Sequence, residues 1–216
     1  YSYYTYQCDS LMASPNGDKL WDSFLAEAVG KGLKGKQLHN AIPHRRMSAT
    51  IYKNYPQGKI TVTDFLLGQY YLYEDALNSQ EWNIESDSMK VVLGHECQKA
   101  TCSFRGRKWT AWFALDVPVS DGPLKFCGLP GLIMEVYDRG KQYYFCINGM
   151  QQVSATPITF GILDKDFKHF QKTDRKDFLL SKYRYLRNQN SINEASTGIS
   201  LGSVDEALKY DLIEKE

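Results

Sequence analysis

Residues 116–131, DVPVSDGPLKFCGLPG, constrain the fold of this chain more than any other stretch. Three prolines fix φ and lack an amide donor, while three glycines permit backbone conformations that other residues avoid. This combination excludes both a regular helix and a central strand. The apolar residues of the stretch, Leu124, Phe126 and Leu129, favour burial over exposure. The sequence therefore predicts a shaped loop that packs its apolar side chains onto a sheet.

Strand-like segments lie on both sides of this Pro/Gly loop. Residues 97–104 and 108–114 flank Arg105-Gly106-Arg107, which predicts a hairpin in which Gly106 supplies the positive φ of the tip. A second predicted hairpin joins residues 132–137 to residues 142–147 across the turn at 138–141. The loop thus connects two antiparallel hairpins.

Further strands are predicted upstream, because β-branched and aromatic residues recur there between turn signals. They span residues 50–52, 60–63, 70–73, 82–84 and 89–93. Asp87 and Ser88 are expected to form the turn between the last two.

Helical patterns occur near both ends of the sequence. An apolar stripe from Leu20 to Val29 predicts an amphipathic helix that ends at Gly30. Asp174 precedes a second helix with a basic outer face. Residues 188–203 are polar and rich in Gly and Ser, which predicts a linker before a last short helix through Leu212.

These elements predict an α+β fold, in which a strongly curved antiparallel sheet built from hairpins carries short flanking helices. The expected domains are residues 1–187, a single β-rich unit, and residues 188–216, the polar linker with its helix. A chain of 216 residues is long enough to bury a core without metal or disulfide bonds. Its net charge of +1 favours no nucleic-acid partner, and no run of 18 apolar residues predicts a transmembrane segment.

Several short motifs together resemble one protein family. They are CQKAT from Cys97, FRGRKWTAWF from Phe104, VPVSDGPLKF from Val117, and GLPGLIMEVYD from Gly128. In this order they resemble the GLPGLI family, exported proteins of unknown function from anaerobic Gram-negative bacteria, over a core of residues 80–149. The resemblance implies a periplasmic or extracellular location and removal of a signal peptide. It implies no activity, cofactor or catalytic residue.

The family motif itself predicts structural rather than chemical roles. Its residues are Gly122, Pro123, Gly128, Leu129, Pro130, Gly131, Leu132 and Ile133. The resemblance matches Cys97 to a recurrent cysteine, whereas Cys102 and Cys127 stand where other residues are usual. A disulfide through either of those two would be peculiar to this chain.

The cysteines do not form a recognisable disulfide or metal pattern. There are five, unevenly spaced, with no C-x-x-C pair and no histidine at zinc-ligand spacing. We expect no metal and no cofactor, and we interpret the cysteines as small core residues.

Catalytic chemistry has two weak candidates. Cys97 lies two residues from His95, but strand neighbours at this spacing project in parallel and stay beyond hydrogen-bond reach. Carboxylates near the loop could form an acid–base pair, but turns favour the same residue types. These carboxylates are Asp116, Asp121, Glu135 and Asp138. We therefore assign no catalytic residue.

A binding surface is the better-supported prediction, because aromatic side chains combine a large contact area with polar handles. The candidate ligand-binding residues are Trp109, Trp112, Phe126, Leu129 and Tyr144. Arg105, Arg107 and Lys108 lie beside aromatic residues, and we interpret them as a solvated hairpin tip rather than a nucleic-acid surface.

Three functions are compatible with these patterns. The first is a non-enzymatic envelope protein that binds an apolar, glycan or protein ligand. The second is a hydrolase or redox enzyme of the envelope, which requires a cleft with a close His or acid pair. The third is a structural partner in an outer-membrane assembly, for which an exposed apolar patch is the cue.

Overall fold

Two five-stranded sheets and two helices make up the described part of the chain. The computed structural model describes residues 2–5, 17–34, 37–38, 41, 49–151, 169–197 and 212–215. The protein is mostly β, as the sequence predicts, but its strands form two sheets where the sequence analysis expected one. In β7 the more buried and less buried residues largely alternate, whereas five successive residues of β3, from Ile60 to Asp64, are buried.

The first sheet has the strand order β1-β2-β3-β4-β10. Its strands are β1 (Ser2–Thr5), β2 (Thr50–Lys53), β3 (Lys59–Leu66), β4 (Gln69–Ala76) and β10 (Phe170–Lys172). Neighbouring strands run antiparallel except β10, which pairs parallel with β4. The strands predicted at 50–52, 60–63 and 70–73 are confirmed as β2, β3 and β4.

The second sheet is a meander in which each strand pairs with the next, in the order β5-β6-β7-β8-β9. Its strands are β5 (Asn83–Val92), β6 (His95–Phe104), β7 (Arg107–Ala114), β8 (Leu132–Asp138) and β9 (Tyr144–Cys146). The Pro/Gly loop connects β7 to β8, which are themselves adjacent and antiparallel. The loop therefore leaves the second sheet at the end of β7 and returns to it at the start of β8, the strand beside β7.

The turn predicted at Asp87 and Ser88 is wrong. Residues 83–92 form one continuous strand, β5, whose pairing with β6 shifts in register between Glu85 and Met89. An irregularity of this kind places extra residues on one strand without reversing the chain. Polar turn residues can therefore mark a bulge as well as a hairpin.

The helices are α1 (Gly17–Gly30) and α2 (Arg175–Thr197). Asp174 accepts the backbone N–H of Lys176 at 2.7 Å, which caps the start of α2. The linker predicted at 188–203 is wrong in its first part, because α2 continues to Thr197 with a kink at Asn188. The rest of that linker lies outside the described residues, as does most of the predicted last helix. Leu212 itself is not helical.

One core joins both sheets, the Pro/Gly loop and α2. It combines apolar residues from each: Ile51, Ile60, Val62, Tyr73, Ala100, Phe104, Trp109, Phe113, Val136, Leu124, Phe126, Leu129 and Phe178. A smaller cluster on the other face of the second sheet contains Val92, Cys97, Ala114 and Met134. Both faces of β7 are therefore covered. No helix in the described ranges combines the length and apolarity needed to cross a membrane.

Candidate functional site

The Pro/Gly loop is held onto the core by a buried lysine of β2. The Lys53 ammonium donates to the carboxylate of Asp121 at 2.7 Å and to the carbonyls of Gly122 and Phe126 at 2.7 and 2.6 Å. Burial lowers the pKa of Lys53, and the Asp121 carboxylate opposes that shift. Lys53 therefore fixes both halves of the loop from the neighbouring sheet.

Glycine is required at two loop positions for lack of space. A Cβ on Gly131 would lie 1.9 Å from the carbonyl oxygen of Ala114, and one on Gly122 would lie 2.8 Å from Cβ of Ile133. Gly128 instead has a φ of +90°, which favours glycine for conformational reasons. The glycines of the family motif thus allow close backbone approach and a tight turn.

Phe126 is the central apolar anchor of the loop. Its ring makes an edge contact with Trp109 at a centroid distance of 4.6 Å, and it also meets Phe104 and Trp82. The Trp82 indole donates to the carbonyl of Cys127 at 2.8 Å. Leu124, Phe126 and Leu129 are all buried, which confirms the predicted packing of the loop.

Beside this anchor lies an apolar cavity of about 120 Å³. Its walls come from both sheets, the loop, α2 and residues 212–214. The lining residues are Ala49, Ile51, Val62, Tyr73, Phe104, Arg105, Trp109, Leu124, Lys125, Phe126, Tyr143, Leu179, Lys182, Leu212, Ile213 and Glu214. An apolar cavity of this size holds a group about as large as a benzene ring.

Two cations of the cavity lining and a third beside them share two carboxylates, and we call this part of the site the rim. We call Arg105, Lys125 and Arg175 the cation cluster. Lys125 contacts Asp75 at 2.7 Å and Glu214 at 2.5 Å. Arg105 donates to Asp75 at 3.1 Å, and Arg175 donates to Glu214 at 3.3 Å. Each of the two carboxylates is therefore shared by more than one cation.

Within this rim, Lys125 is charged and one arginine nitrogen is unsatisfied. Burial by itself lowers the pKa of Lys125, but the carboxylates of Glu214 and Asp75 outweigh it and the pKa is raised. Burial also raises the pKa of Tyr73, which is therefore a neutral phenol. Among the described residues, Nε of Arg105 is buried and has no hydrogen-bond partner; an oxygen of the Glu214 carboxylate lies 3.9 Å away.

Arg107 completes the rim by holding the backbone of residues 212–215. Its guanidinium donates to the carbonyls of Leu212 at 2.8 Å and Ile213 at 3.0 Å. It also forms a buried ion pair with Asp138 at 2.9 Å. The backbone N–H of Lys215 donates to the carbonyl of Arg105 at 3.1 Å. The 212–215 segment is thus fixed mainly through its main chain and Glu214.

The structure does not bring the five candidate ligand-binding residues together. Trp109 and Phe126 line the cavity, and Leu129 is buried in the shared core. Trp112 lies on the other face of β7 beneath the Lys90 ammonium, and half-exposed Tyr144 stacks against Tyr137. Alternation along strands separates Trp109 from Trp112, because neighbours at odd spacing point to opposite faces.

The candidate catalytic residues are paired in ways that favour structural roles. Cys97 is fully buried, its thiol donates to the backbone carbonyl of His95, and burial raises its pKa. His95 pairs with Asp116 at 2.7 Å on the surface. Glu135 pairs with Lys90, so each of the four loop carboxylates has a cationic or histidine partner.

The interpretation of the hairpin tip as solvated is wrong for its two arginines. Arg107 is buried, and Arg105 is half-buried in the cation cluster. Only Lys108 is exposed, as a solvated tip requires. Buried arginines need ion pairs, and the partners Asp75 and Asp138 are distant in sequence.

The cysteines of the described residues are unpaired. Cys97, Cys102 and Cys127 are buried free thiols, as expected of small core residues, and Cys146 is exposed. Cys8 lies outside the described residues. Within the described ranges, no three His, Cys, Asp or Glu side chains are grouped closely enough to hold a metal ion.

Sequence reasoning missed Lys53, Asp75, Arg175 and Glu214 as site residues. Lys125 offered the clearest signal, because it is a single cation between apolar Leu124 and Phe126 in a loop predicted to be buried. A lysine in such a setting requires a buried anion. The identity of that anion depends on tertiary contacts.

Comparisons with known proteins find one family model and two solved structures that are similar to part of this chain. Residues 105–135 match a family model described as "Protein of unknown function (Porph_ging)", which is consistent with the resemblance stated above. No protein with a curated description matches the chain. Two crystal structures of PNGF-II resemble it, with 15% and 16% identity and TM-scores of 0.42 and 0.41. The matches cover 62% and 65% of this chain, but only 24% and 26% of the PNGF-II chains.

Proposed function

We propose that this chain is a non-enzymatic binding protein of the cell envelope that takes an apolar group with an attached acid into the cavity beside the Pro/Gly loop. Strongly curved sheets around that cavity and an exported location are part of this proposal. The observation that carries it is an apolar cavity of about 120 Å³ whose lining includes Arg105 and Lys125, with a third cation, Arg175, that shares their carboxylate partners.

The chemistry of the walls supports a small aromatic or branched aliphatic anchor. Trp109 and Phe126 offer ring edges, and Ile51 and Val62 offer methyl groups. Such walls favour burial of apolar surface at about 25 cal/mol per Å². Orientation comes from the rim, where the unsatisfied Nε of Arg105 can donate to one more anionic oxygen.

The test uses 3-phenylpropionate and its neutral amide as probes, with calorimetric titration of the full chain. We expect the acid to bind with a Kd in the millimolar range, because so few atoms contribute. The amide should bind at least about tenfold more weakly, since it cannot pair with the cation cluster. Equal affinity for acid and amide would contradict the role of the rim.

A cavity-filling variant provides the second arm. Ala49→Leu places three extra carbons into the lining and should reduce binding of the acid at least about tenfold. Ala76→Leu makes the same change at an exposed residue that does not line the cavity, and it should leave binding unchanged. Undiminished binding by the Ala49 variant would place the ligand elsewhere.

The enzymatic alternative finds less support. It requires a close His or acid pair in a cleft, and neither His95 nor Asp116, which form such a pair, lines the cavity. The buried Cys97 thiol has a raised pKa, whereas a nucleophilic cysteine needs a lowered one. The geometry therefore favours binding over catalysis.

The alternative of a structural partner has one observation in its favour. Met89, Val91 and Leu93 are exposed on and just after β5, an edge strand of the second sheet. Apolar rows on an edge strand favour pairing with another chain. Val91→Lys should then reduce any self-association seen by sedimentation; a chain that is monomeric at all concentrations contradicts self-association through β5.

A further inference from the structure

The 212–215 segment is bound to the protein as a separate peptide would be. Three main-chain hydrogen bonds hold it: two from Arg107 to the carbonyls of Leu212 and Ile213, and one from its Lys215 amide to Arg105. Proteins that bind extended peptides commonly recognise main-chain groups in this way. None of the three bonds depends on the identity of the side chains in the segment.

Side chains of the segment supply the selective contacts. Leu212 and Ile213 form part of the cavity wall, and the Glu214 carboxylate meets Lys125 and Arg175. The segment therefore presents two aliphatic residues followed by an acid. These match the two properties of the site, an apolar hollow and a cationic rim.

The segment supplies one of the two carboxylates that the cation cluster shares. Without Glu214, Lys125 and Arg175 each lose one carboxylate partner, while Asp75 remains as another. A buried cation that loses its anion is destabilising, which favours replacement of one anion by another over vacancy. Arg105 Nε is available to an acid placed slightly closer than Glu214.

From these contacts we infer that the cavity and its rim form a peptide-binding groove for a segment of another protein with the pattern aliphatic-aliphatic-acidic, and that the 212–215 segment is a resident occupant which the ligand displaces. This inference rests on the proposed function and names its ligand class. The main-chain bonds favour a polypeptide over a simple amphiphile, which has no amide or carbonyl for Arg105 and Arg107 to recognise.

Displacement sets the affinity that an external peptide needs. A tethered segment has an effective concentration of about a millimolar, so a peptide with identical contacts competes only at comparable concentration. A variant that weakens the resident segment should therefore bind the peptide at least about tenfold more tightly than the unchanged chain. This difference separates displacement from binding at a second site.

The experiment measures fluorescence anisotropy of a labelled peptide with the sequence of residues 211–216, DLIEKE, against the full chain and its full-length double variant Ile213→Asp, Glu214→Lys. We expect the variant to bind at least about tenfold more tightly than the unchanged chain. The peptide DLIQKE should bind the variant about tenfold more weakly than DLIEKE, because it lacks the carboxylate. Leu180→Asp, a matched change at an exposed residue of α2, should behave as the unchanged chain.

The results distinguish failure of the peptide inference from failure of the proposed function. If 3-phenylpropionate binds the variant but DLIEKE does not, the peptide inference is overturned and the proposed function stands. If a folded variant binds neither probe, the proposed function fails as well. Self-association of the unchanged chain that Glu214→Lys abolishes would identify the occupant as the segment of a second copy, which also overturns the inference.

The unchanged chain provides an independent test of displacement, which does not depend on whether a variant folds. Hydrogen exchange of the Lys215 amide reports release of the segment, because that amide donates to Arg105. Millimolar DLIEKE should accelerate this exchange, and millimolar DLIQKE should do so much less. No change with either peptide would contradict displacement.

Discussion

The Pro/Gly loop and the 212–215 segment both enter the same core as irregular chain, yet they are held by different forces. The loop combines buried apolar anchors, glycines without space for a Cβ, and the Lys53 contacts. The segment has half-buried residues and is fixed by polar contacts at the rim. Water cannot replace the contacts of buried apolar side chains and closely packed backbone, whereas a ligand can replace the polar contacts at the rim.

This difference explains why one irregular segment is part of the fold and the other part of the site. The loop backbone, which packs closely against Ala114, can move away only when the strands of the second sheet separate from each other. A backbone held by arginine side chains leaves when those side chains find another partner.

The thiol of Cys127 tests whether the loop opens only with the whole protein. Cys127 is buried in the loop and burial raises its pKa, whereas Cys146 is exposed. We expect Cys127 to react with a thiol reagent at least about 10⁴-fold more slowly than Cys146, at the rate of global unfolding. Peptide mass mapping after timed labelling measures both rates. Comparable rates would mean that the loop opens locally.

Replacement of a wedged glycine should cost the most stability of any loop substitution. Gly131→Ala forces a Cβ against the Ala114 carbonyl, and we expect the free energy of unfolding to fall by about 4 kcal/mol. Gly149→Ala is the matched control, because a Cβ there meets nothing within 4 Å, and it should change stability by less than about 0.5 kcal/mol. Denaturant unfolding of both variants provides the measurement; equal effects would contradict close approach.

Removal of the loop cation should have the next largest effect. Lys53→Met removes the buried ammonium that Asp121 and two loop carbonyls share, so the free energy of unfolding should fall by about 3 kcal/mol. Lys59→Met removes an exposed lysine paired with Glu74 and should cost less than about 0.5 kcal/mol. Chemical denaturation compares the two, and a small loss for Lys53→Met would mean that the loop does not need its cation.

The acid of the 212–215 segment should contribute least to global stability. Glu214→Gln removes one charge from the rim, and we expect a loss of about 1 kcal/mol. Glu74→Gln is the control for an exposed ion pair and should cost less than about 0.5 kcal/mol. Thermal unfolding at equal pH and salt measures both. A loss for Glu214→Gln as large as that for Lys53→Met would erase the distinction between loop and segment.

The sequence predicted the loop well because its constraints are local. Prolines, glycines and the apolar Leu124, Phe126 and Leu129 determine by themselves what the chain cannot form and what it must bury. The strands β2, β3 and β4 followed from residue types within each segment. The division of the strands into two sheets did not follow from residue types, because it depends on long-range pairing, such as the parallel contact of β10 with β4.

The site was harder to predict because its charges meet across the fold. Asp75, Lys125, Arg175 and Glu214 lie on four separate elements, and no local pattern links them. The sequence identified candidate aromatic residues, but it did not show which way their side chains point. Trp109 and Phe126 line the cavity, but Trp112 points the other way. Arginines are usually exposed, so the burial of arginines at a hairpin tip can be inferred only once their ion-pair partners are known.

Native-state hydrogen exchange compares the two regions most directly. The Ile133 amide donates to the carbonyl of Asp121 in the loop, and the Lys215 amide donates to Arg105 at the rim. The account predicts that Ile133 exchanges only through global unfolding, with a rate that rises steeply with denaturant, while Lys215 exchanges at least about 100-fold faster and almost independently of denaturant. Equal rates with equal denaturant dependence would show that the segment is as fixed as the loop and would contradict an exchangeable occupant.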